Sequence, residues 1–219
     1  MNDAFSRYTT PSGRETQYQP GSGGRVLVNA LGFYRKRDID RAEFQALLEA
    51  QERYLGKIGP ETRFTAALIR QMHRDWLGDI YPWAGEYRSV NVSKGGFHWP
   101  PAALVEVNMV KFERGAMAKH TPCPAGPVLD VAGHLAVVHA ELLLIHPFRE
   151  GNGRLARWVA DLMAMQAGLA PPDYAFTGRG SRKQNRRYLK AVVAGYAMDY
   201  EPLTDFFRET LERRLADLA

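Results

Sequence analysis

The chain has 219 residues, 45% of them hydrophobic, a single cysteine and a formal net charge of +5. These values fit one compact soluble domain of helices and loops. No run of about 18 apolar residues offers a membrane span, the polar start from Met1 to Tyr18 lacks the apolar core of a secretory signal, and the lone Cys123 excludes an intrachain disulfide and offers no zinc site. A cytoplasmic location is expected, with delivery into a host cell left open. The positive balance could favour nucleic acid, but the basic residues are spread along the chain. Arg182 to Arg187, the dense cluster, fits a solvated helix face as well as a ligand surface.

In chain order, residues 1–24 read as a flexible tail broken by Pro11-Ser12-Gly13 and Pro20-Gly21-Ser22-Gly23-Gly24. Residues 25–28 read as a short strand or an extended segment. Helical spacing predicts a helix from about Asp40 to Leu55, with Phe44, Leu47, Leu48 and Tyr54 toward one side. A second is expected from Pro60 to Leu77, using Phe64, Ala67, Leu68, Met72 and Trp76. Ser89 to Trp99 alternates like a hairpin, with Gly95-Gly96 suited to its turn. Helices are then expected at Pro101–Lys119, Pro127–Ile145, Arg154–Gly168, Ser181–Met198 and Pro202–Leu218. In the second of these, Val128, Val131, Leu135, Val138 and Leu142 recur at core spacing. His134 and His139 fall on different faces of it, which argues against a shared metal. Trp158, Leu162 and Met165 should point inward from the helix that follows. The architecture expected is mainly α, a single-domain helical bundle with one small β-hairpin, occupying residues 25–219 after the tail.

The chemistry concentrates in His146-Pro147-Phe148-Arg149-Glu150-Gly151-Asn152-Gly153-Arg154-Leu155-Ala156-Arg157. Pro147 discourages helical geometry at His146 and should end the preceding helix there. Gly151 and Gly153 permit a tight turn, and the N–H groups opening the next helix form a ready phosphate site. A neutral imidazole at His146 can take a proton from a hydroxyl near pH 7. Glu150 offers a hard oxygen for the Mg²⁺ that accompanies nucleotide phosphates. Arg154 and Arg157, three apart, share a face and can reach anionic oxygens. Phe148 should anchor the loop in the core, and Arg149 should face solvent. Taken singly, a Gly-Asn-Gly is usually only a turn, such a histidine only structural, and an arginine pair only a solvated face. Their coincidence in one ordered stretch carries the reading.

That stretch resembles the signature of the Fic family (filamentation induced by cAMP), His-x-Phe-x-Asp/Glu-Gly-Asn-Gly-Arg-x-x-Arg, at every specified position. Upstream, Ile80-Tyr81-Pro82-Trp83-Ala84-Gly85-Glu86-Tyr87-Arg88 and Ser93-Lys94-Gly95-Gly96-Phe97 resemble the segment leading into the family's substrate-binding hairpin, the flap. The resemblance covers about Phe44 to Phe207. Related Doc toxins, which transfer phosphate, carry Lys where this chain has Gly153, so the resemblance favours nucleotidyl transfer.

The resemblance implies a protein adenylyltransferase, moving AMP from ATP to a Ser, Thr or Tyr hydroxyl of a target protein. His146 would be the general base, and Glu150 would hold Mg²⁺. Gly151, Asn152 and Gly153 would give backbone and side-chain donors to the phosphates, with Arg154 on the β/γ side and Arg157 on the γ-phosphate. Asn185 and Tyr188 would line the adenine pocket. The flap, Val92, Ser93, Lys94, Gly95, Gly96 and Phe97, would pair with an extended target segment. A helix C-terminus favours protonated histidine, opposing base function at His146; the bound Mg²⁺ would have to offset that pull. Many members carry an inhibitory helix, Ser/Thr-x-x-x-Glu-Gly/Asn, whose Glu pairs with the second motif Arg. No such sequence occurs in this chain, so restraint by a small antitoxin partner is expected ahead of other regulation. Alternatives are transfer of UMP or phosphate on the same fold, or a toxin of a toxin–antitoxin pair. A membrane is not expected as a partner, nor nucleic acid.

Overall fold

The computed structural model describes residues 8–9 and 14–218. Two compact units form, one from Met1–Tyr54, Ala66–Val110 and Ile145–Asn152, the other from Leu55–Thr65, Lys111–Leu144 and Gly153–Ala219. The elements are mainly helical, as expected.

In the first unit, strands β1 (Tyr8–Thr9), β2 (Asn91–Lys94) and β3 (Phe97–His98) form a three-stranded antiparallel sheet in that order. Tyr8 pairs with Val92, and Ser93 with His98. The β2–β3 turn has φ of +57° at Gly95 and +82° at Gly96, two positive values in a row that glycine alone supplies cheaply. The hairpin expected from Ser89 to Trp99 is therefore present, but widened by a strand from the N-terminal segment.

Part of the expected tail is thus structured. Arg14–Thr16 form a 3-10 turn, Tyr18 bridges Leu27, and Gln19 N–H donates to Val26 O at 2.8 Å. Glu15 is buried because Ser89 satisfies its carboxylate, the N–H at 2.7 Å and the hydroxyl as well. Residues 1–7 and 10–13 of the expected tail lie outside the described residues.

Helix α1 (Lys36–Leu55) buries Ile39, Glu43, Leu47, Ala50 and Tyr54. Phe44 and Leu48, expected inward, are 58% and 44% exposed. The buried stripe runs through Glu43 instead, because its carboxylate accepts the Tyr81 hydroxyl at 2.6 Å and its carbonyl accepts Trp76 Nε1–H at 2.8 Å. A carboxylate so paired can take a core position that hydropathy assigns to its neighbour. Helix α2 (Ala66–Leu77) buries Ile69, Met72, His73, Trp76 and Leu77. It starts six residues later than Pro60 because side chains take the preceding N–H groups: Thr62 Oγ1 accepts from Gly59 and Thr121 Oγ1 from Phe64.

Where one α-helix was expected over 101–119, a 3-10 turn (Ala102–Leu104), α3 (Val105–Phe112), a π-helical stretch (Glu113–Met117) and α4 (Ala118–His120) follow one another. The second unit carries α5 (Val128–Ile145), most of α6 (Asn152–Gln166), α7 (Ser181–Gly195) and α8 (Glu201–Ala216). Val131, Leu135, Val138 and Leu142 of α5 are buried, as their spacing predicted. By length and composition α5 could cross a membrane, with a mean hydropathy of 1.8 over its 18 residues. The expected absence of such a run overlooked it, since Asp130, His134, His139 and Glu141 interrupt the pattern. More than half of it is buried within the protein, which its place as a core helix accounts for. Trp158 and Leu162 of α6 are buried, whereas Met165 is 38% exposed. Around Tyr188, the rings of Phe176 and Phe206 stand at 5.2 and 5.3 Å, within the range of favourable aromatic pairs.

Candidate active site

Helix α5 stops at Ile145, and His146 takes a left-handed φ of +52°. Pro147 explains the stop, since its ring excludes α-helical geometry from the residue before it. Phe148 is fully buried and stacks on His73 at 3.9 Å with the rings 8° from parallel. The His73 ring accepts Gly85 N–H at Nδ1, 2.8 Å away, so Nε2 carries the proton and donates to Glu150 O at 3.1 Å. His73 thereby fixes the carbonyl of the acidic residue from a helix far upstream.

Arg149, expected to face solvent, is 3% exposed. Its Nε–H donates to Glu15 O at 2.6 Å, which ties the loop to the N-terminal segment. Gly151 has φ +85°, and a Cβ there would stand 2.9 Å from Trp76 Cζ3. Glycine is required twice over, by conformation and by the indole. Asn152 spends its carboxamide on the loop: Oδ1 accepts Phe148 N–H at 2.9 Å and Nδ2 donates to Phe148 O at 2.7 Å. A side-chain donor to phosphate was expected there; the side chain braces the turn instead. Glu150 is half-buried, and Oε1 accepts the adjoining Gly151 N–H at 3.0 Å. Trp99, just past β3, lays its ring 4.2 Å from the His146 ring.

Along the flap, Val92 is buried, Lys94, Gly95 and Gly96 are exposed, and Ser93 and Phe97 lie between. One edge of β2 pairs with β1 and the other with β3. The outer edges left among the described strands are those of β1 and β3, and β3 is the one that leads into Trp99.

In the second unit, Gly153, Arg154 and Arg157 lie in the first turns of α6, each half-exposed. A Cβ at Gly153 would meet Arg157 Nη1 at 3.8 Å, so the bare backbone leaves that guanidinium uncrowded. Arg157 stands over the Phe176 ring at 5.4 Å, and its charge acts on the buried Tyr188 hydroxyl against the upward pull of burial. Tyr188, expected at the adenine pocket, is 4% exposed and joins His139 Nε2 at 2.8 Å, while His139 Nδ1 lies 3.1 Å from Ala156 O. A carbonyl only accepts, so Nδ1 holds the proton and Nε2 accepts from the Tyr188 hydroxyl. Burial keeps His139 neutral, its pKa lowered to about 3. Burial also pushes Asp161 up to about 7, against the Tyr174 hydroxyl bond at 2.8 Å and the Arg157 charge. Asn185, the other adenine candidate, is exposed on α7.

Sequence reasoning missed His73, Arg88, Glu15 and Trp99 as supports of the loop. Arg88 and Tyr87 were in view as part of a resemblance, without a role. No linear spacing announces partners 58, 77 and 134 residues apart.

Among the described residues no group of three or more His, Cys, Asp or Glu could hold a metal by itself. A single carboxylate, that of Glu150, beside the N-terminus of α6 nevertheless fits Mg²⁺, which binds through one or two carboxylates plus substrate phosphates and waters.

A family model described as Fic/DOC matches residues 63–164, spanning α2, the flap and the whole loop. Residues 63–164 carry a Fic/DOC domain. Among its Fic relatives, the "Protein adenylyltransferase Fic" of Drosophila melanogaster is 30% identical over 148 residues, 67% of this chain and 28% of that protein. The chain thus spans little more than a quarter of the length of the Drosophila relatives it matches. A probable protein adenylyltransferase of Sinorhizobium fredii is 26% identical over 193 residues, 86% of this chain and 93% of that one. In fold, the BepC effector of Bartonella tribocorum, solved with AMPPNP, has a TM-score of 0.72 at 18% identity, covering 90% of this chain and 96% of that one. The N-terminal Fic domain of a Bartonella quintana effector, solved with ADP, has a TM-score of 0.69 at 20% identity, covering 88% and 92%.

Proposed function

We propose that this chain is a protein adenylyltransferase that transfers AMP from ATP to a hydroxyl side chain of a target protein. The observation that carries the reading is the built loop: a histidine held left-handed at a helix end, a turn that only glycine can make, and a helix N-terminus opening at Asn152. The relatives named as protein adenylyltransferases and the nucleotide-bound neighbours support it.

The acceptor hydroxyl oxygen attacks the α-phosphorus of ATP, the bond from that phosphorus to the bridging α–β oxygen breaks, and pyrophosphate leaves. The hydroxyl proton passes to His146 as general base. Backbone N–H groups of Gly151 to Gly153 donate to the phosphates at the start of α6, that of Gly151 on leaving Glu150 Oε1. Arg154 acts on the β/γ side, and Arg157 holds the γ-phosphate, so the α-phosphorus is presented in line. Glu150 would hold Mg²⁺, which supplies charge neutralisation on the phosphates when bound. Asn185 on α7 is assigned to the adenine side; Tyr188, its hydroxyl on His139, contributes as the buried support of that helix.

The target enters as an extended segment. With β2 already paired on both sides, the outer edges of β1 and β3 are left, and its strand pairs along that of β3 because this strand leads into Trp99, whose ring lies on His146. Backbone pairing registers the hydroxyl and demands little of the target's sequence.

Incubation with labelled ATP, Mg²⁺ and a lysate tests the reading: α-³²P label enters protein and γ-label does not. Transfer of γ-label alone identifies a kinase, and transfer from α-labelled UTP in preference to ATP identifies a uridylyltransferase. In the same assay His146→Ala abolishes transfer and leaves ATP binding within about twofold of wild type.

A further inference from the structure

Arg88 sits at the root of the flap, 2% exposed, and its guanidinium is spent on backbone carbonyls. Nε–H donates to His146 O at 2.7 Å, Nη1 to Val90 O at 2.8 Å, and Nη2 to Pro100 O at 2.6 Å and Ile145 O at 3.3 Å. Its own backbone N–H donates to Pro147 O at 2.8 Å. Val90 immediately precedes β2, and Pro100 follows Trp99 beyond β3. Ile145 is the last residue of α5. One side chain therefore joins both legs of the flap to the end of the helix and to His146 itself.

The guanidinium suits that task for reasons of geometry. Its donors are fixed in one plane at set angles, so the carbonyls they bind are fixed relative to one another. A lysine ammonium offers a point charge on a flexible stem and no such plane. The carbonyls gathered here include the orphan acceptor at the end of α5, which would otherwise be buried without a donor. They also include that of His146, whose left-handed backbone is uncommon outside glycine and persists only where surroundings over-determine it. Trp99 adds a second link, since Pro100, the next residue, is pinned by Arg88 while the indole lies on the imidazole.

We propose that Arg88, acting with Trp99, is a positioning device that holds the His146 imidazole in register with the flap. An acceptor hydroxyl laid along β3 then meets the base without further adjustment. The inference rests on the reading of His146 as base and the flap as docking strand. Nucleotide binding should not depend on it, because the carbonyls it grips, those of Val90, Pro100, Ile145 and His146, belong to no residue assigned to ATP. Near-attack geometry is steep: a displacement of about 1 Å can cost a factor of about 100 in rate.

Arg88→Lys in the full chain, shown folded by circular dichroism, provides the test. The expected result is a kcat for AMP transfer lowered by about two orders of magnitude, with the Kd for AMPPNP within about twofold of wild type. Trp99→Ala, at a half-buried position, should show the same split and serves if the arginine variant does not fold. Either variant with a kcat within about threefold of wild type overturns the proposal, as does a matching loss of AMPPNP affinity, which would mark a merely structural role. A fully active His146→Ala sinks the proposed function instead, so the two failures are told apart.

Discussion

Gly151 shows how much of the site hangs on one backbone position. Its φ of +85° is strained for any L side chain, and a methyl group would come within 2.9 Å of the buried Trp76 indole. Trp76 cannot yield, because its Nε1–H is held by Glu43 O at 2.8 Å. Gly151→Ala should therefore cost ~1–3 kcal/mol in stability and distort the turn that presents N–H groups to phosphate. Thermal melting and AMPPNP titration read the two effects, and a variant with unchanged Tm and Kd would show that the loop has slack. Arg157 is the counterpart on α6. If its guanidinium grips the γ-phosphate, Arg157→Ala weakens ATP binding and hardly affects ADP, which lacks that group. Equal losses in calorimetry with the two nucleotides remove the contact.

At the scale of elements, α5, α6 and α7 share a buried polar chain whose protonation has a measurable sign. Asp161 of α6 has its pKa raised by burial from 3.8 to about 7. Between those values the folded protein keeps a proton that the unfolded chain releases, so this group's contribution to stability is lost as pH rises toward 7. His139 of α5 works the other way. Its pKa is lowered by burial from 6.5 to about 3, so the unfolded chain takes the proton first and stability is lost as pH falls through that window. The two oppose each other in the wild type, which makes the variant more informative than the parent. Asp161→Asn should gain stability over wild type as pH is raised from 4 to 8, seen as a widening Tm difference. A difference that stays constant with pH would show that Asp161 is ionised and well paired. Hairpin, helix order and core stripe of α5 were legible because each depends on neighbours a few residues away. The face of α1 was not, since Glu43 enters the core only through Tyr81 and Trp76, partners that a helical wheel does not contain.

At the scale of the molecule, the twelve-residue loop was readable because its chemistry is contiguous, while its supports were not. Arg88, His73 and Glu15 reach it across 58, 77 and 134 residues, and only folding brings them there. Arg149 was misread for the same reason, since its acceptor is a backbone carbonyl at the far end of the chain. Regulation turns on what surrounds Arg157. In many Fic proteins a glutamate from an inhibitory helix occupies the second motif arginine. Here the Arg157 guanidinium stands over the Phe176 ring, and no glutamate forms an ion pair with it among the described residues. A buried arginine–glutamate pair is strongly coupled, and breaking one by removing a partner costs about 3–5 kcal/mol, enough to hold an enzyme silent. A guanidinium that rests on a ring instead keeps its charge available for phosphate. The chain purified alone should therefore adenylylate itself or a target without any activating glutamate substitution. Its overproduction in a bacterium should slow growth unless a small partner protein is supplied. Intact mass after incubation with ATP and Mg²⁺ reads the first outcome as an added AMP. A silent wild-type chain that becomes active when one of its own glutamates is replaced would show an inhibitor within the chain, and would overturn this account of Arg157.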